Sequence, residues 1–589
     1  MRLVGFGPFE IDVRAGELRK QGRRIRLQDQ PLQVLAELLA HPGEMVTRDE
    51  LRQKLWPADT FVDFDHGLNN AINRLREALG DSADHPTYIE TIPRRGYRFI
   101  GTIERAAGVV PEASPAEARP IRSIAVLPLE TVTGDPEYLG DALTDGVTTE
   151  LAQLGALRVI SRMSAMRYKT RQTPLPEIAR ELNVDTVVTG TVRRRGRQVR
   201  VTTELIDAAT ERRLGGGAYE REVETLPALQ SEIARDVAGQ LGIELTGEER
   251  ARFSRHQSVN PEALDHYLRA QSHFGLRRRE DNQAAIRLLE KAIALDPSFA
   301  TAHAALSAAY RVRGLTLEPD ETEWEEKAFA AVQKALQLDA NLAEAYAARG
   351  FLLWSRTNHF PHARAVRELR RALALNPNLA EAHHQLGNVY NHVGLLDKAA
   401  DEIQTAVALD PFNTGARFRA GINLLYQCRY EESLVAFGDA RRFSPSLWAF
   451  QTSFALFQLG RPAEAKERVS RTLREDPRDE GGLLASLQAL LAAAAGNARE
   501  TEAWVRKALT KEGGYQHFHH TLYVVGSAYA RLNAPEPAAT YLARAADDGF
   551  PCYPLFERDA NLDNLRRQPR FRELLGTLKA QWEHFTATL

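Results

Sequence analysis

Residues 62–79, VDFDHGLNNAINRLREAL, combine base-reading and phosphate-binding side chains at helical spacing. The apolar residues recur at steps of four, three and four, so one face of a predicted helix carries Leu68, Ile72, Leu75 and Leu79. The opposite face collects His66, Asn70, Asn73, Arg74 and Glu77, with Asn69 and Arg76 on its flanks. Asparagine pairs bidentately with adenine, and arginine with guanine or with phosphate oxygens. The stretch therefore predicts a helix that contacts nucleic acid.

Composition limits where such contacts can lie. A chain of 589 residues is long enough for three or four domains, or for one domain and a repeat array. The formal charge of −2 gives no overall basic character, so nucleic-acid binding must be local. Cys428 and Cys552 lie too far apart in sequence to suggest a disulfide framework, which is typical of a reducing compartment. The N-terminus is not typical of a signal peptide, and the longest apolar run, 483–495, predicts a buried helix rather than a membrane span. We expect a cytoplasmic protein without membrane contact.

Strands, helices and a basic hairpin surround the polar helix. Alternating segments near 3–6, 9–13, 17–19 and 25–27 predict short strands, and a leucine stripe predicts a helix from about residue 30. Thr47 and Glu50 form a capping box that opens a second helix. After the polar helix, residues 88–92 and 97–100 flank the turn Pro93-Arg94-Arg95-Gly96. This order predicts a winged helix over residues 1–104.

The segments RLREAL and YIETIPRRGYRF resemble the DNA-binding domain of OmpR/PhoB-type response regulators. The resemblance implies that the third helix enters the major groove of double-stranded DNA and that the wing contacts the neighbouring minor groove or backbone. It implies the following DNA contacts: His66, Asn70, Asn73, Arg74 and Arg76 on the helix, Arg94 and Arg95 on the wing, and Arg48 as a phosphate contact. The loop Ala58–Asp63 corresponds to the segment that can touch RNA polymerase in that family.

Charge in this domain is nearly balanced, with 16 acidic and 15 basic residues over 1–104. A weak electrostatic contribution predicts modest affinity for a single copy, so pairing of two copies on DNA is expected to matter. The alternative is a winged helix that serves only protein contact.

An Ala/Pro-rich linker is predicted at 105–120, followed by an α/β domain at 121–245. Its segments IAVLPL, GDALTDGVTTEL and VVTGTVRRRG resemble the N-terminal domain of TolB and related modules. Gly215-Gly216-Gly217 lacks the Lys-Ser/Thr of a phosphate loop and is expected to form a bend. Asp141 and Asp145 share a helical face without a partner acid or histidine, so we expect a solvated face rather than a catalytic pair.

From about residue 260 the chain becomes helical and periodic. Successive gaps of 43, 37, 34, 34 and 32 residues separate Asp296-Pro297, Asp339-Ala340, Asn376-Pro377, Asp410-Pro411, Ser444-Pro445 and Asp476-Pro477. We attribute the longer gaps to loop insertions in a 34-residue period. This spacing is typical of tetratricopeptide repeats, and it predicts about eight units over 260–548 with a capping segment at 549–589. The default role of such an array is to bind a protein or peptide in its groove. His383-His384 are adjacent, and His517, His519 and His520 lack a nearby carboxylate or cysteine, so no metal site is expected.

The predicted fold class is multidomain: an α+β winged helix, an α/β middle domain and an all-α solenoid. The leading hypothesis is a one-component transcriptional regulator that binds DNA at its N-terminus and receives a signal or partner through the rest of the chain. It is not expected to be an enzyme, and no catalytic residue or cofactor motif is identified. A scaffold whose repeats recruit partners is the alternative, and an enzyme with a nucleotide site in the α/β domain has no motif to support it.

Overall fold

The computed structural model describes residues 3–6, 9–12, 17–20, 23–25, 27, 29–40, 45–55, 64–83, 86–93, 95–101, 103–104, 122–132, 135–170, 173–253, 259–273, 278–317, 323–438, 444–512 and 515–589. The chain divides into two compact units, Met1–Ala118 and Arg119–Leu589. The predicted linker at 105–120 lies outside the described residues. Among the residues described, no helix is both long and apolar enough to cross a membrane.

The described residues of the first unit form two small sheets and three helices. The strands β1 (Leu3–Phe6), β2 (Phe9–Asp12), β3 (Glu17–Lys20), β4 (Arg23–Ile25) and β8 (Ile103–Glu104) form one antiparallel sheet in the order β4-β3-β2-β1-β8. The second sheet has the order β5-β7-β6, from Met45–Thr47, Gly96–Phe99 and Ile89–Ile92. The helices are α1 (Asp29–Ala40), α2 (Arg48–Leu55) and α3 (Phe64–Leu79). This is the predicted winged helix.

Aromatic rings join the two sheets of this unit. Phe6 of β1 lies 5.5 Å from Phe9 and 5.2 Å from Phe99 of β7, measured between ring centroids. Tyr88 packs edge-on against Phe6 and Phe9. These rings fill the core together with leucines of α1 and α3, so α3 is held by the burial of its apolar face.

The second unit begins with an α/β domain. Its strands are β9 (Ser123–Val126), β10 (Glu130–Thr131), β11 (Arg158–Val159), β12 (Thr186–Arg195), β13 (Gln198–Asp207) and β14 (Arg213–Glu222). The sheet order is β11-β9-β12-β13-β14, with β10 beside β12, and its first three strands are parallel. The helices are α4 (Glu137–Ala152), α5 (Arg162–Ala165), α6 (Leu175–Leu182) and α7 (Leu226–Gln240).

The bend predicted at Gly215–Gly217 is wrong, because these glycines lie within strand β14. They pair with β13, and the register shifts between Leu205 and Ile206. Gly216 has a φ of +142°, and a Cβ there would lie 2.2 Å from the carbonyl oxygen of Thr203. Glycine suits this close approach, although its weak strand propensity masks the strand in the sequence.

Asp141 and Asp145 do not form the fully solvated face that was expected. Asp141 receives a hydrogen bond of 2.9 Å from the Lys169 ammonium. The Asp145 side chain is 29% exposed and lies 3.7 Å from the Arg162 guanidinium. Both aspartates are therefore paired with cations, and Asp145 is half-buried.

The rest of the second unit is helical. After α8 (Gly247–Phe253), sixteen described helices form eight consecutive pairs. The pairs are α9 (Pro261–Gln271) with α10 (Arg279–Leu295), α11 (Ala300–Val312) with α12 (Glu323–Leu338), α13 (Ala343–Leu353) with α14 (His362–Leu375), α15 (Ala380–His392) with α16 (Leu396–Leu409), α17 (Thr414–Tyr426) with α18 (Tyr430–Phe437), α19 (Pro445–Gln458) with α20 (Pro462–Glu475), α21 (Leu483–Ala494) with α22 (Ala498–Leu509), and α23 (His519–Arg531) with α24 (Pro535–Asp547). The C-terminal segment adds α25 (Tyr553–Arg558) and α26 (Pro569–Thr588).

Glycines allow the helices of a pair to approach closely. A Cβ on Gly387 of α15 would lie 2.7 Å from the Ile403 side chain of α16, and one on Gly526 of α23 would lie 2.7 Å from Leu542 of α24. These contacts explain why small residues recur in the first helix of the repeat. The apolar run at 483–495 is largely the buried helix α21, as predicted.

The α/β domain is docked onto two turns of the repeat array. The Asn378 side chain, between α14 and α15, accepts the Val159 N–H at 2.9 Å and donates to the carbonyls of Ala152 and Leu157. One repeat later, the Asp410 carboxylate accepts the Ser164 hydroxyl at 2.5 Å. The turns that mark the repeat period therefore also hold the edge of the α/β sheet.

The array also contacts itself across large sequence distances. In α26, the indole N–H of Trp582 donates to the Gly394 carbonyl at 2.9 Å. After α13, the Arg356 guanidinium pairs with Glu512 at 3.3 Å and with Asp548 at 3.4 Å. The third and fourth helix pairs thus meet the end of the array directly.

Candidate DNA-binding site

Helix α3 separates its apolar and polar residues onto opposite faces. Its Leu68, Ile72, Leu75 and Leu79 side chains are at most 3% exposed. Asn70, Asn73 and Arg74 are exposed, as predicted from their spacing. Because core packing fixes the apolar face, the two carboxamides and the guanidinium are presented on the outer surface of a rigid helix.

The end of α3 is fixed by Gly80 and Asp81. Gly80 adopts a φ of +65°, a conformation that favours glycine just after a helix. The Asp81 carboxylate then accepts backbone N–H groups of Thr87 at 2.6 Å and Ile89 at 2.8 Å. Asp81 therefore positions the first wing strand relative to α3. Sequence spacing gave no sign of this role, because the bonded N–H groups lie six to eight residues further along the chain.

Arg76 must be removed from the predicted DNA contacts. Its side chain is only 7% exposed, and one guanidinium nitrogen donates 2.8 Å hydrogen bonds to the Ile89 carbonyl and the Thr91 hydroxyl. Arg76 thus ties α3 to strand β6. From its position on the flank of α3, Arg76 could face either DNA or the wing. In the structure it faces strand β6 of the wing.

Arg48, predicted as a phosphate contact, holds three elements together. Its guanidinium donates to the Tyr97 hydroxyl at 3.0 Å and to the Asn69 carboxamide at 2.9 Å, while Tyr97 itself donates to Asn69 at 3.0 Å. The Arg48 N–H also bonds the Arg95 carbonyl at 3.1 Å. These bonds fix the start of α2 and the wing to α3. The predicted capping box is confirmed, because Glu50 accepts the Thr47 N–H at 2.7 Å and its own N–H donates to the Thr47 hydroxyl.

The wing is the β6–β7 hairpin, in which Ile92 pairs with Gly96 across the turn. Arg95 is exposed in this turn. A Cβ on Gly96 would lie 2.1 Å from the Val46 carbonyl oxygen, so only glycine allows β5 to pack this closely. Arg98, further along β7, lies 3.3 Å from Glu90. Arg98 is therefore partly neutralised within the wing, whereas Arg95 lies at its tip.

Three predicted elements fall outside what the structure describes. They are Arg94, the side chain of His66 and the loop Ala58–Asp63. The described part of the site contains Asn69, Asn70, Asn73, Arg74 and Arg95 at the surface, with Arg48 partly buried and Tyr97 buried beside Asn69. This arrangement suits recognition by hydrogen bonds with limited help from charge.

Comparison with known proteins agrees with the winged helix of the first unit and with the helical repeats of the second. Residues 22–99 match the family model described as "Transcriptional regulatory protein, C terminal", and residues 380–413 match a tetratricopeptide repeat model. The N-terminal domain is thus an OmpR/PhoB-type winged helix, and the helical array contains tetratricopeptide repeats. The TolB-like resemblance of the α/β domain stays a prediction.

Curated relatives share parts of this organisation. The chain is 33% identical over 276 residues to "Putative adenylate cyclase 3" of Rhizobium meliloti, covering 46% of this chain and 44% of that protein. It is 36% identical over 112 residues to the "Cholera toxin homolog transcriptional activator" of Vibrio parahaemolyticus, covering 18% of this chain and 38% of the relative. It is 24% identical to "Transcriptional regulator HilA" of Salmonella typhimurium over 74% of this chain and 77% of that protein. The chain therefore spans less than half the length of the first two relatives.

Proposed function

We propose that this protein is a transcriptional regulator that binds double-stranded DNA through helix α3 and the β6–β7 wing. The observation that carries the proposal is the exposed Asn70, Asn73 and Arg74 face of α3, backed by a buried leucine face. In this mechanism α3 enters the major groove, where the carboxamides bond adenine edges and Arg74 bonds guanine or phosphate. Arg95 contacts the backbone beside the wing. The similarity to named transcriptional regulators supports this assignment.

The second unit supplies the regulatory input in this proposal. Tetratricopeptide arrays bind protein partners, so we assign partner binding to the repeats. Because Asn378 and Asp410 hold the α/β domain on the array, a partner of either part would act on both. Contact with RNA polymerase through Ala58–Asp63, pairing of two copies on DNA and a cytoplasmic location belong to the same proposal. In this proposal the protein carries out no catalytic step of its own.

Selection of bound sequences from a random duplex pool tests the proposal with the intact chain. We expect a defined sequence to be enriched, and the Asn73→Ala/Arg74→Ala double variant to lose the enrichment while retaining its folded circular dichroism spectrum. Gln33→Ala is the control, because it removes an exposed carboxamide from α1 rather than from α3. Failure to enrich any sequence, together with capture of DNA-independent protein complexes, would favour the scaffold function instead.

A further inference from the structure

Four histidines from two distant parts of the array meet in its interior. His392 ends α15, His517 precedes α23, and His519 and His520 begin α23. One ring nitrogen from each of the four lies within 4.8 Å of the corresponding nitrogen of the other three. His392 is distant in sequence from the other three, so the spacing of histidines along the chain gave no sign that it belongs with them.

The hydrogen bonds of two of these rings leave a lone pair for a ligand. His392 Nδ1 lies 2.9 Å from the Asn388 carbonyl, and His519 Nδ1 lies 2.7 Å from the Asp548 carbonyl. A ring nitrogen beside a carbonyl must carry the proton, so Nε2 of each ring bears the lone pair. Metal-bound histidines typically make this bond from their second nitrogen, because it fixes the tautomer and the ring orientation.

His392 Nε2 is an unpartnered atom in the core. The side chain is 0% exposed, and this nitrogen has no hydrogen-bond partner among the described residues. Burying such an acceptor without a partner is unfavourable, so a ligand bound to this nitrogen would remove that cost. The indole of Trp354 and the ring of Phe550 cover His392, with centroid distances of 4.8 Å and 5.5 Å. Water is thereby kept from much of the cluster.

One pair of nitrogens already has the spacing expected around a four-coordinate ion. Bonds of about 2.0–2.1 Å from a tetrahedral Zn²⁺ to imidazole place the nitrogens roughly 3.3 Å apart. His517 Nδ1 and His519 Nε2 are separated by 3.3 Å. His517 Nδ1 carries the proton of this pair, because His519 Nε2 is the acceptor. Moving that proton to Nε2 of His517 would free His517 Nδ1 as the second ligand atom. The remaining nitrogens require inward rotation of the rings.

From this geometry we infer that His392, His517, His519 and His520 form a binding site for a divalent transition-metal ion, with Zn²⁺ as the first candidate. Imidazole nitrogen suits Zn²⁺, Cu²⁺ and Ni²⁺, whereas Ca²⁺ and Mg²⁺ prefer oxygen ligands. The ion joins α15 to α23 and so fastens the fourth helix pair to the eighth. Its role is to close the array, since four protein ligands leave no open position for catalysis.

The protonation state of the cluster agrees with this role. Burial lowers the pKa of His519 to about 3, and it lowers the pKa of His392, His517 and His520 well below the usual value. All four rings are therefore neutral near pH 7, as metal ligands must be. Arg419 adds positive charge nearby and no ligand is anionic, so we expect weaker binding than by a site of four thiolates.

Competition between the chelator-treated full-length chain and a chromophoric chelator tests the site. The chain must carry no polyhistidine tag. We expect one Zn²⁺ per chain, a higher melting temperature with Zn²⁺ than with Mg²⁺, and at least a tenfold loss of affinity in His392→Gln. His584→Gln is the matched control, because His584 is exposed on α26, and it should bind Zn²⁺ as the wild type does. Absence of stoichiometric binding, or equal affinity in His392→Gln, overturns the assignment.

A second measurement uses the wild-type chain alone, so it does not depend on folding of the variant. Co²⁺ in place of Zn²⁺ should give the intense visible absorption of a four-coordinate ion, and X-ray absorption of the Zn²⁺ form should fit four imidazole nitrogens. A six-coordinate, mostly oxygen environment in either experiment would mean surface binding and would overturn the site.

Discussion

The guanidinium of Arg48 donates to the side-chain oxygen of Asn69 at 2.9 Å, joining the first residue of α2 to the exposed flank of α3. Tyr97 of the wing bonds both residues. The orientation of α3 and that of the wing are therefore coupled through one hydrogen-bonded triangle. This coupling changes what a substitution at Arg48 should do, because the residue both holds the domain together and lies beside the surface that we propose binds DNA.

Arg48→Ala should destabilise the first unit, while Arg95→Ala should not. Loss of the guanidinium removes one hydrogen bond each from Asn69 and Tyr97, which keep the bond between them, and costs about 0.5–1.5 kcal/mol of unfolding free energy per bond lost. Arg95 is exposed in the wing turn, so its loss should instead flatten the log–log salt dependence of DNA binding by about one unit. Urea unfolding and binding titrations at several salt concentrations measure the two effects.

A third substitution, Tyr97→Phe, tests the triangle further. Tyr97→Phe removes one hydroxyl from the triangle and should produce a smaller loss of stability than Arg48→Ala. An unaltered salt slope in Arg95→Ala would contradict the assignment of the wing tip to phosphate.

Asn73→Ala should relax the sequence preference of the protein rather than weaken all DNA equally. Loss of one bidentate contact to a base costs about 1–3 kcal/mol on the preferred site and little on other sequences. Competition between the preferred duplex and a series of single-base variants gives the preference at each position. Arg76→Ala provides the contrast: its bonds to Ile89 and Thr91 predict a loss of stability with the preference retained. Equal losses on all sequences in Asn73→Ala would argue that this residue reads no base.

The sequence predicted the elements and faces of this protein better than the contacts between distant segments. Periodicity identified the leucine face of α3 and the repeats, and turn residues identified the wing, because each of these depends on a pattern that can be read along the chain. Local spacing, however, placed Arg76 among the predicted DNA contacts and gave no sign of His392. Their surroundings are set by β6 and by α23, which no local pattern relates to them. Gly215–Gly217 shows a further limit, since pairing with β13 overrides the low strand propensity of glycine.

Asn378→Ala should loosen the α/β domain from the repeat array. The substitution leaves the Val159 N–H and the carbonyls of Ala152 and Leu157 without their partner, and each such group costs about 1–3 kcal/mol when water cannot replace the bond. Hydrogen exchange should increase in β11 and in the turn after α14. Asn341→Ala is the matched control, because Asn341 occupies the equivalent position one repeat earlier and is exposed. Equal exchange in both variants would contradict a docking role for Asn378.

The stability of the second unit should depend on pH through Glu150. Burial of this α4 side chain, followed by repulsion from Glu344 of α13, raises its pKa to about 7, against the opposing effect of a hydrogen bond with Ser231. Nearby, burial also raises the pKa of Asp145, although Arg162 opposes this. A carboxyl whose folded pKa exceeds its unfolded value of 4.5 stabilises fully below pH 4.5, and this contribution is lost as the pH rises to about 7. Glu150→Gln cannot ionise, so its melting temperature should rise relative to that of the wild type across this range. Glu177→Gln, at an exposed position on α6, is the control for removing a surface carboxylate. A pH-independent difference for Glu150→Gln would show that this carboxyl does not titrate between pH 4.5 and 7.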